Sequence, residues 1–493
     1  MTEINARSAA LECLMAVTDE ERFSHLVLNA AREKYAWLPE EEKALLSRLV
    51  HGTLEHLLQI DVILNRYSTV KVPRMKPVVR GVLRMSLYQL LFLDRIPPRA
   101  VIFEAVKLTE QRGLRGLKGF VNAVLRNLAA HRGELLAEIR RSGSLSFRYS
   151  CPDWIVKKLV REIGKGDAEQ VLRAALEPET LYVRMLHRGR NFPADEEPSS
   201  KESPEEKRKF REDRARPEEL FRESPHCAGI YAVPAGKSRE AAALIAEGSA
   251  YAQDVSSAIA LTAASPAEGE TVFDLCASPG GKSVAAADLM GGSGIVRSFD
   301  LTEQKVRRIR ENAERTGYAS VIRAEVSDAA VFHPEFSEQA DLVIADLPCS
   351  GLGVLGRKPD LKLRLKEEDA AALAALQKKI LGCASAYVKP GGRLLYSTCT
   401  ISRAENEENR DWFLREHPEF SVPDLTGKLP FLAEGTRRPA EGERPPEDAE
   451  TGQGGSAAAK TLSAGYLQIL PQMFHSDGFF FALFVKDGKR SEN

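Results

Sequence analysis

From about Ala250 onward the sequence alternates short apolar runs with helical stretches, and that rhythm restricts the fold more than any other feature. The runs are "TVFDLCA", "GIVRSFD", "VIRAEV", "ADLVIADLP" and "GRLLYSTCT". Segments of helical pattern, such as "EQKVRRIRENAERTG" and "EEDAAALAALQKKILGCASAYV", lie between them. Strands alternating with helices of about 10–15 residues predict a parallel sheet covered on both faces. "GFFFALFVK" supplies a late additional strand. In such a sheet the carboxyl ends of the strands share one rim, and ligands bind there.

The N-terminal part has a different texture. "ARSAALECLMAV", "EEEKALLSRLVHGTLEHLLQIDVIL", "KPVVRGVLRMSLYQLLFL" and "GLKGFVNAVLRNLAA" place apolar residues at helical spacing. No alternating pattern interrupts them, so residues 1–140 are expected to be an all-α domain. Between 145 and 245, "CPDWIVKKLVREIG" and "DAEQVLRAAL" read as helices and "LYVRML" as a strand, which predicts a small α+β linking domain. Residues 246–493 form the expected α/β domain. Two stretches, 192–220 and 433–460, are dense in charge, Pro, Ser or Gly with little to bury, and flexible insertions are expected there. A multidomain chain suits a length of 493 residues.

Bulk properties exclude several classes. No apolar run reaches about 18 residues, so no membrane span is expected. The first residues lack a basic segment followed by an apolar one, so no secretory signal is expected. Seven cysteines without a CxxC pair argue against a zinc site and for reduced thiols in a cytoplasm. A cytoplasmic, metal-free monomer is the expectation. The net charge of -1 is uninformative, but its distribution is not. Arg66 to Arg126 holds 13 Lys or Arg against Asp94, Glu104 and Glu110. Such density suits the phosphates of a nucleic acid.

The first strand of the α/β part runs into "VFDLCASPGGKS", Val272 to Ser283, a strand, a glycine turn and a helix start. Small residues there let a ligand approach the backbone and the free N–H groups of the helix. A phosphate-binding loop requires Gly where Cys276 stands, and the G-x-G-x-x-G pattern is also absent. Asp300, Asp328 and Asp346 are expected at the ends of the next strands. Acids there suit ribose hydroxyls, and an adenosine held without a pyrophosphate describes S-adenosylmethionine.

Cys349, in "DLPCSGLG", and Cys399, in "YSTCT", follow the fourth and fifth strands and should open on the same rim. A thiol beside a methyl donor suits methylation of a pyrimidine at carbon 5. Thiolate addition at carbon 6 makes carbon 5 nucleophilic enough to take the methyl group. Asp346 is placed to favour that addition by sharing a proton near N3. The base must be unpaired or flipped out to be reached. Spacing alone leaves open which sulfur attacks.

"DLCASPGGKS", "DLPCSGLGVLGRKPD", "YSTCTISRAENEEN", "DGFFFALFVK" and the upstream "YAQDVSSAIA" together resemble the RNA cytosine-5 methyltransferases of the NOL1/NOP2/Sun family. The likeness runs from about Tyr251 onward, outside 433–460. The helical part resembles the antitermination factor NusB through "RMSLYQLLFLDRIPPRAVIFEAV" and "FVNAVLRN". The resemblance implies a Rossmann-like class I methyltransferase domain behind a NusB-like RNA-binding domain. It implies Cys399 as nucleophile, Cys349 in product release and Asp346 in orienting the base. Cofactor contacts carry over to Cys276, Ala277, Ser278, Pro279, Gly280, Gly281, Lys282, Asp300, Asp328 and Asp346. "RKPD", Arg357 to Asp360, matches an element near the substrate, although Leu363 stands where an aromatic residue is expected. The implied substrate is 16S rRNA at cytosine 967. The competing readings are the same chemistry on tRNA or another rRNA site, and a non-catalytic RNA-binding or termination factor.

Overall fold

The computed structural model describes residues 5–177, 180–187, 217–433 and 460–488. Most of both expected insertions, 192–216 and 434–459, lies outside the described residues. Contacts divide the chain into two units. One comprises Met1–Glu177 with Val354–Glu367, the other Pro178–Gly353 with Glu368–Asn493.

The first unit is helical. It contains α1 (Ala6–Thr18), α2 (Ser24–Lys34), α3 (Glu40–Glu55), α4 (Leu57–Tyr67), α5 (Pro77–Phe92), α6 (Pro98–Gln111), α7 (Lys118–Ala130), α8 (Arg132–Arg141), α9 (Leu145–Arg148) and α10 (Asp153–Ala174). Pro77 and Pro98 open α5 and α6, where a missing N–H costs nothing. α5 is buried along most of its length and packs against α1, α3, α4, α6 and α7.

Two features differ from the sequence reading. By contacts, the helical unit runs to Glu177, beyond the 140 given from the sequence. Polar bonds tie this continuation to α4: the Gln59 amide donates to Arg148 O (2.7 Å), and the Ser150 hydroxyl accepts from Leu58 N (3.2 Å). The segment Val354–Glu367, which carries "RKPD", also belongs to this unit. There Asp360 accepts from Ser24 N (3.1 Å) and Ser24 Oγ (2.5 Å), satisfying the start of α2, which has no side-chain cap of its own.

The second unit holds two sheets. Strands β1 (Tyr182–Met185), β2 (Arg222–Glu223), β3 (Ile230–Ala232) and β4 (Ala250–Ala252) form a small antiparallel sheet in the order β2-β3-β1-β4. The main sheet contains β5 (Thr271–Asp274), β6 (Ile295–Asp300), β7 (Ile322–Val326), β8 (Ala340–Asp346), β9 (Val388–Thr398), β10 (Phe420–Ser421), β11 (Tyr466–Ile469) and β12 (Phe479–Lys486). Its order is β10-β12-β9-β8-β5-β6-β7, with β11 also paired to β12. Strands β5 to β9 run parallel, while β12 is antiparallel to β9.

Side-chain alternation assigns the two faces. Val272, Leu342, Ile344, Leu395 and Phe481 point into one core, while Phe273, Val343, Leu394, Phe480 and Phe484 point into the other. Helices α11 (Val255–Ala264), α12 (Gly281–Leu289) and α13 (Glu303–Arg315) supply the first core. Helices α14 (Asp369–Tyr387) and α15 (Glu407–Glu416) cover the second. Burial on both faces explains why "FFFALF" is apolar without a break.

One buried polar link joins β5, α12 and β6. The Asp274 carboxylate accepts from the Ser283 hydroxyl (2.7 Å), which accepts in turn from the Ser298 hydroxyl (2.8 Å). All three side chains are within 1 % of full burial. Burial pushes the Asp274 carboxyl up to about 7, with Asp346 and Asp300 reinforcing it and Ser283 and Lys282 opposing. The folded chain therefore holds this proton more tightly than the unfolded chain, so the associated stability is lost as pH rises from about 4 through about 7. Between pH 5 and 8, urea unfolding should show the wild type losing on the order of 2–3 kcal/mol that Asp274→Asn retains. Parallel pH profiles for the two proteins would refute this.

Candidate active site

Parallel pairing puts Asp274, Asp300, Asp346 and Thr398 at the carboxyl ends of β5, β6, β8 and β9, on one edge of the sheet. The chain then turns from β5 into α12 through residues 275–280. Gly280, at φ 106, makes the turn that a side chain would oppose. Backbone bonds hold the loop: Leu275 N donates to Ile344 O (3.0 Å), and Ala277 N to Phe299 O (2.9 Å).

Asp300 closes over this loop. Its Oδ2 accepts from Ser278 N (2.9 Å), and its Oδ1 accepts from Leu301 N (2.7 Å) and Lys305 Nζ (2.9 Å). Asp328 stands beyond the end of β7, which stops at Val326. It is exposed, and its carboxylate accepts from Ala330 N (2.9 Å). Burial raises the Cys276 thiol above its ordinary range, and the nearby acids add to the effect.

Lys282 and Asp346 form the charged centre of the rim. Lys282 Nζ donates to Asp346 Oδ2 (2.7 Å) and lies 5.1 Å from the centre of the Phe479 ring. Burial pulls the lysine down, yet the Asp346 carboxylate outweighs it and leaves the ammonium above its ordinary range. Asp346 Oδ1 accepts from the Ser397 hydroxyl (2.8 Å), so both of its oxygens are oriented.

The two cysteines meet. Cys349 Sγ and Cys399 Sγ are 3.3 Å apart. The shared hydrogen bond with Cys399, then burial, then charge at Cys399 and Glu405, push the Cys349 thiol well above its ordinary range. Cys349 is thus held as a neutral thiol. Cys399 feels Lys282 electrostatically and packs against the apolar core.

Beneath the sulfurs lies a buried polar network built from "ENEEN", Glu405 to Asn409, and its neighbours. Glu405 accepts from Ser350 N (2.8 Å) and Ser350 Oγ (2.6 Å), and from Gln377 Nε2 (3.2 Å). Asn406 accepts from the Thr398 hydroxyl (2.6 Å) and donates to Thr400 O (3.1 Å) and Gln468 (2.8 Å). The only signal was "ENEEN" directly after a strand-ending cysteine, and such a run ordinarily reads as a solvated helix start. The Cys349 loop is also pressed against β12. Gly353 N donates to Cys399 O (3.1 Å), Gly478 N donates to Gly353 O (2.8 Å), and a Cβ on Gly353 would lie 2.0 Å from Gly478 O.

In the helical unit, Arg66, Arg80, Arg84, Arg112 and Lys118 pair with acids. Lys71, Arg74, Lys76, Arg95, Arg99 and Arg126 are exposed and make no ion pair among the described residues. No described helix is long and apolar enough to cross a membrane.

Comparison with known proteins agrees with this layout. The model of the family "16S rRNA methyltransferase RsmB/F" matches residues 261–485, and that of the NusB family matches residues 4–130. A Bacillus subtilis protein named "Probable ribosomal RNA small subunit methyltransferase B" is 36% identical over 99% of this chain and 100% of its own length. A Serratia proteamaculans protein named "Ribosomal RNA small subunit methyltransferase B" is 29% identical over 84% of this chain and 91% of its own. Among solved structures, that of PH0851 superposes with a TM-score of 0.69 at 24% identity, covering 98% of this chain and 99% of that one, a likeness of fold. With a NusB-type helical unit, a methyltransferase sheet and a full-length relative at this identity, the chain belongs to the ribosomal RNA small subunit methyltransferase B family.

Proposed function

We propose that the chain methylates carbon 5 of a cytosine in 16S rRNA, at position 967, with S-adenosylmethionine as donor and a covalent Cys399–cytosine intermediate. The observation that carries this reading is the pair of sulfurs 3.3 Å apart beside the Lys282–Asp346 ion pair. The donor set favours such a cofactor. Both lysines at the loop, Lys282 and Lys305, are already paired with carboxylates, so the rim offers hydroxyl acceptors rather than a cation for a polyphosphate. Asp300 and Asp328 would hold the nucleoside, and residues 276–282 would face it through backbone. When bound, the cofactor supplies an electrophilic methyl group.

The chain's residues divide the remaining work. Asp346, oriented by Lys282 and Ser397, accepts a hydrogen bond from N3 of the base as N3 takes a proton from water, which makes carbon 6 more electrophilic. That proton returns to water when the ring is restored. The Cys399 sulfur adds there as thiolate, with Lys282 offsetting its charge. Once carbon 5 carries the methyl group, its proton passes to water. The C6–S bond breaks, its electron pair returns to Cys399, and the ring regains its double bond. Cys349, a neutral thiol at hydrogen-bond distance, stabilises the departing thiolate.

Cys399→Ala should abolish both turnover and covalent attachment to RNA on denaturing gels. Cys349→Ala should still attach and then release at least about 100-fold more slowly, leaving a trapped adduct. The reverse pattern would exchange the two roles. For the substrate, 5-methylcytosine mapping in a strain lacking the gene should show loss at one 16S rRNA position. Loss confined to tRNA would move the substrate, and no loss together with no methyl incorporation by the purified protein would favour a non-catalytic RNA-binding role.

A further inference from the structure

We propose that Glu405 is a positioning residue that locks the two cysteine loops to each other and thereby commits Cys349 to release rather than attack. The proposal rests on the reading of Cys399 as nucleophile.

Glu405 is fully buried, and no lysine or arginine pairs with it among the described residues. A buried carboxylate without a cation is costly unless hydrogen bonds satisfy it. Here they come from the residues flanking the sulfurs. Ser350, next to Cys349, donates to Glu405 through both its backbone N–H (2.8 Å) and its hydroxyl (2.6 Å). The Gln377 amide bonds Glu405 (3.2 Å) and also Pro348 O (2.9 Å), so the residue on the other side of Cys349 is tied to the same carboxylate. Thr400, next to Cys399, bonds the Ser350 hydroxyl (2.7 Å). Because that hydroxyl's proton is committed to Glu405, Thr400 is the donor. The order Thr400, Ser350, Glu405 is thus one directed chain linking both loops. The Tyr396 hydroxyl, from the strand that leads to Cys399, donates to the Glu405 carbonyl.

Two consequences follow for the chemistry. The clamp sets the distance between the sulfurs, which decides whether Cys349 can donate to the leaving thiolate. Its buried negative charge also disfavours a second anion at Cys349, keeping that sulfur a thiol. In the release step the C6–S bond gives its electron pair to Cys399, the carbon 5 proton goes to water, and the Cys349 thiol donates a hydrogen bond to the new thiolate. Attachment needs none of this from Cys349.

The test separates the two steps. Full-length protein is mixed with cofactor and substrate RNA under single-turnover conditions, and adduct formation and decay are timed on denaturing gels. Glu405→Gln should slow decay by at least about tenfold while formation changes by less than about threefold. Glu405→Asp should recover part of the decay rate. Should Glu405→Gln fail to fold, Ser350→Ala carries the test: it removes the hydroxyl link, leaves the backbone bond, and should also slow decay selectively. Formation and decay falling by the same factor, or decay at the wild-type rate in the variant that folds, would overturn the proposal. Wild-type protein that never forms an adduct would instead refute the nucleophile assignment on which it rests.

Discussion

Parallel pairing of β8 with β9 makes neighbours of two cysteines fifty positions apart. Asp346 lies opposite Ser397 in this ladder, and Leu347 N continues it with a bond to Ser397 O (2.9 Å). Both strands then end on the same edge, and their next residues are the two sulfur-bearing loops. An antiparallel pairing would send those loops to opposite edges. The β5 loop and the Asp300 lock over it depend on the same parallel order, extended from β8 through β5 to β6.

Charge at this edge is arranged in closed pairs. Asp346 neutralises Lys282, Asp300 neutralises Lys305, and the Asp274 carboxyl sits behind them with a raised proton affinity. This rim keeps one thiol protonated beside another that feels an ammonium. Two chemically identical side chains thus sit in different electrostatic surroundings.

The main sheet was legible because both its faces are buried. Burial forces apolar runs such as "ADLVIAD" and "FFFALF", and β5, β6 and β8 end in Asp274, Asp300 and Asp346 while Cys399 directly follows β9. The helical unit was legible from its period, though not its extent. Its continuation past 140 carries bonds such as that of Gln59 to Arg148, and its share of Val354–Glu367 carries the bond of Asp360 to Ser24, 336 positions away. Those are pairings between distant residues that carry no periodic signature. Glu405 escaped assignment for a related reason. A buried carboxylate satisfied by backbone and amide groups has the same letter as a solvated one.

The meeting of Gly353 and Gly478 changes how damage to this protein should be interpreted. Neither residue has a functional group, and neither touches a reacting atom, yet their backbones lie where no side chain fits. A survey of substitutions would rank both beside the cysteines in intolerance. Deleteriousness at these two positions would therefore measure the closeness of two polypeptide backbones, not chemistry.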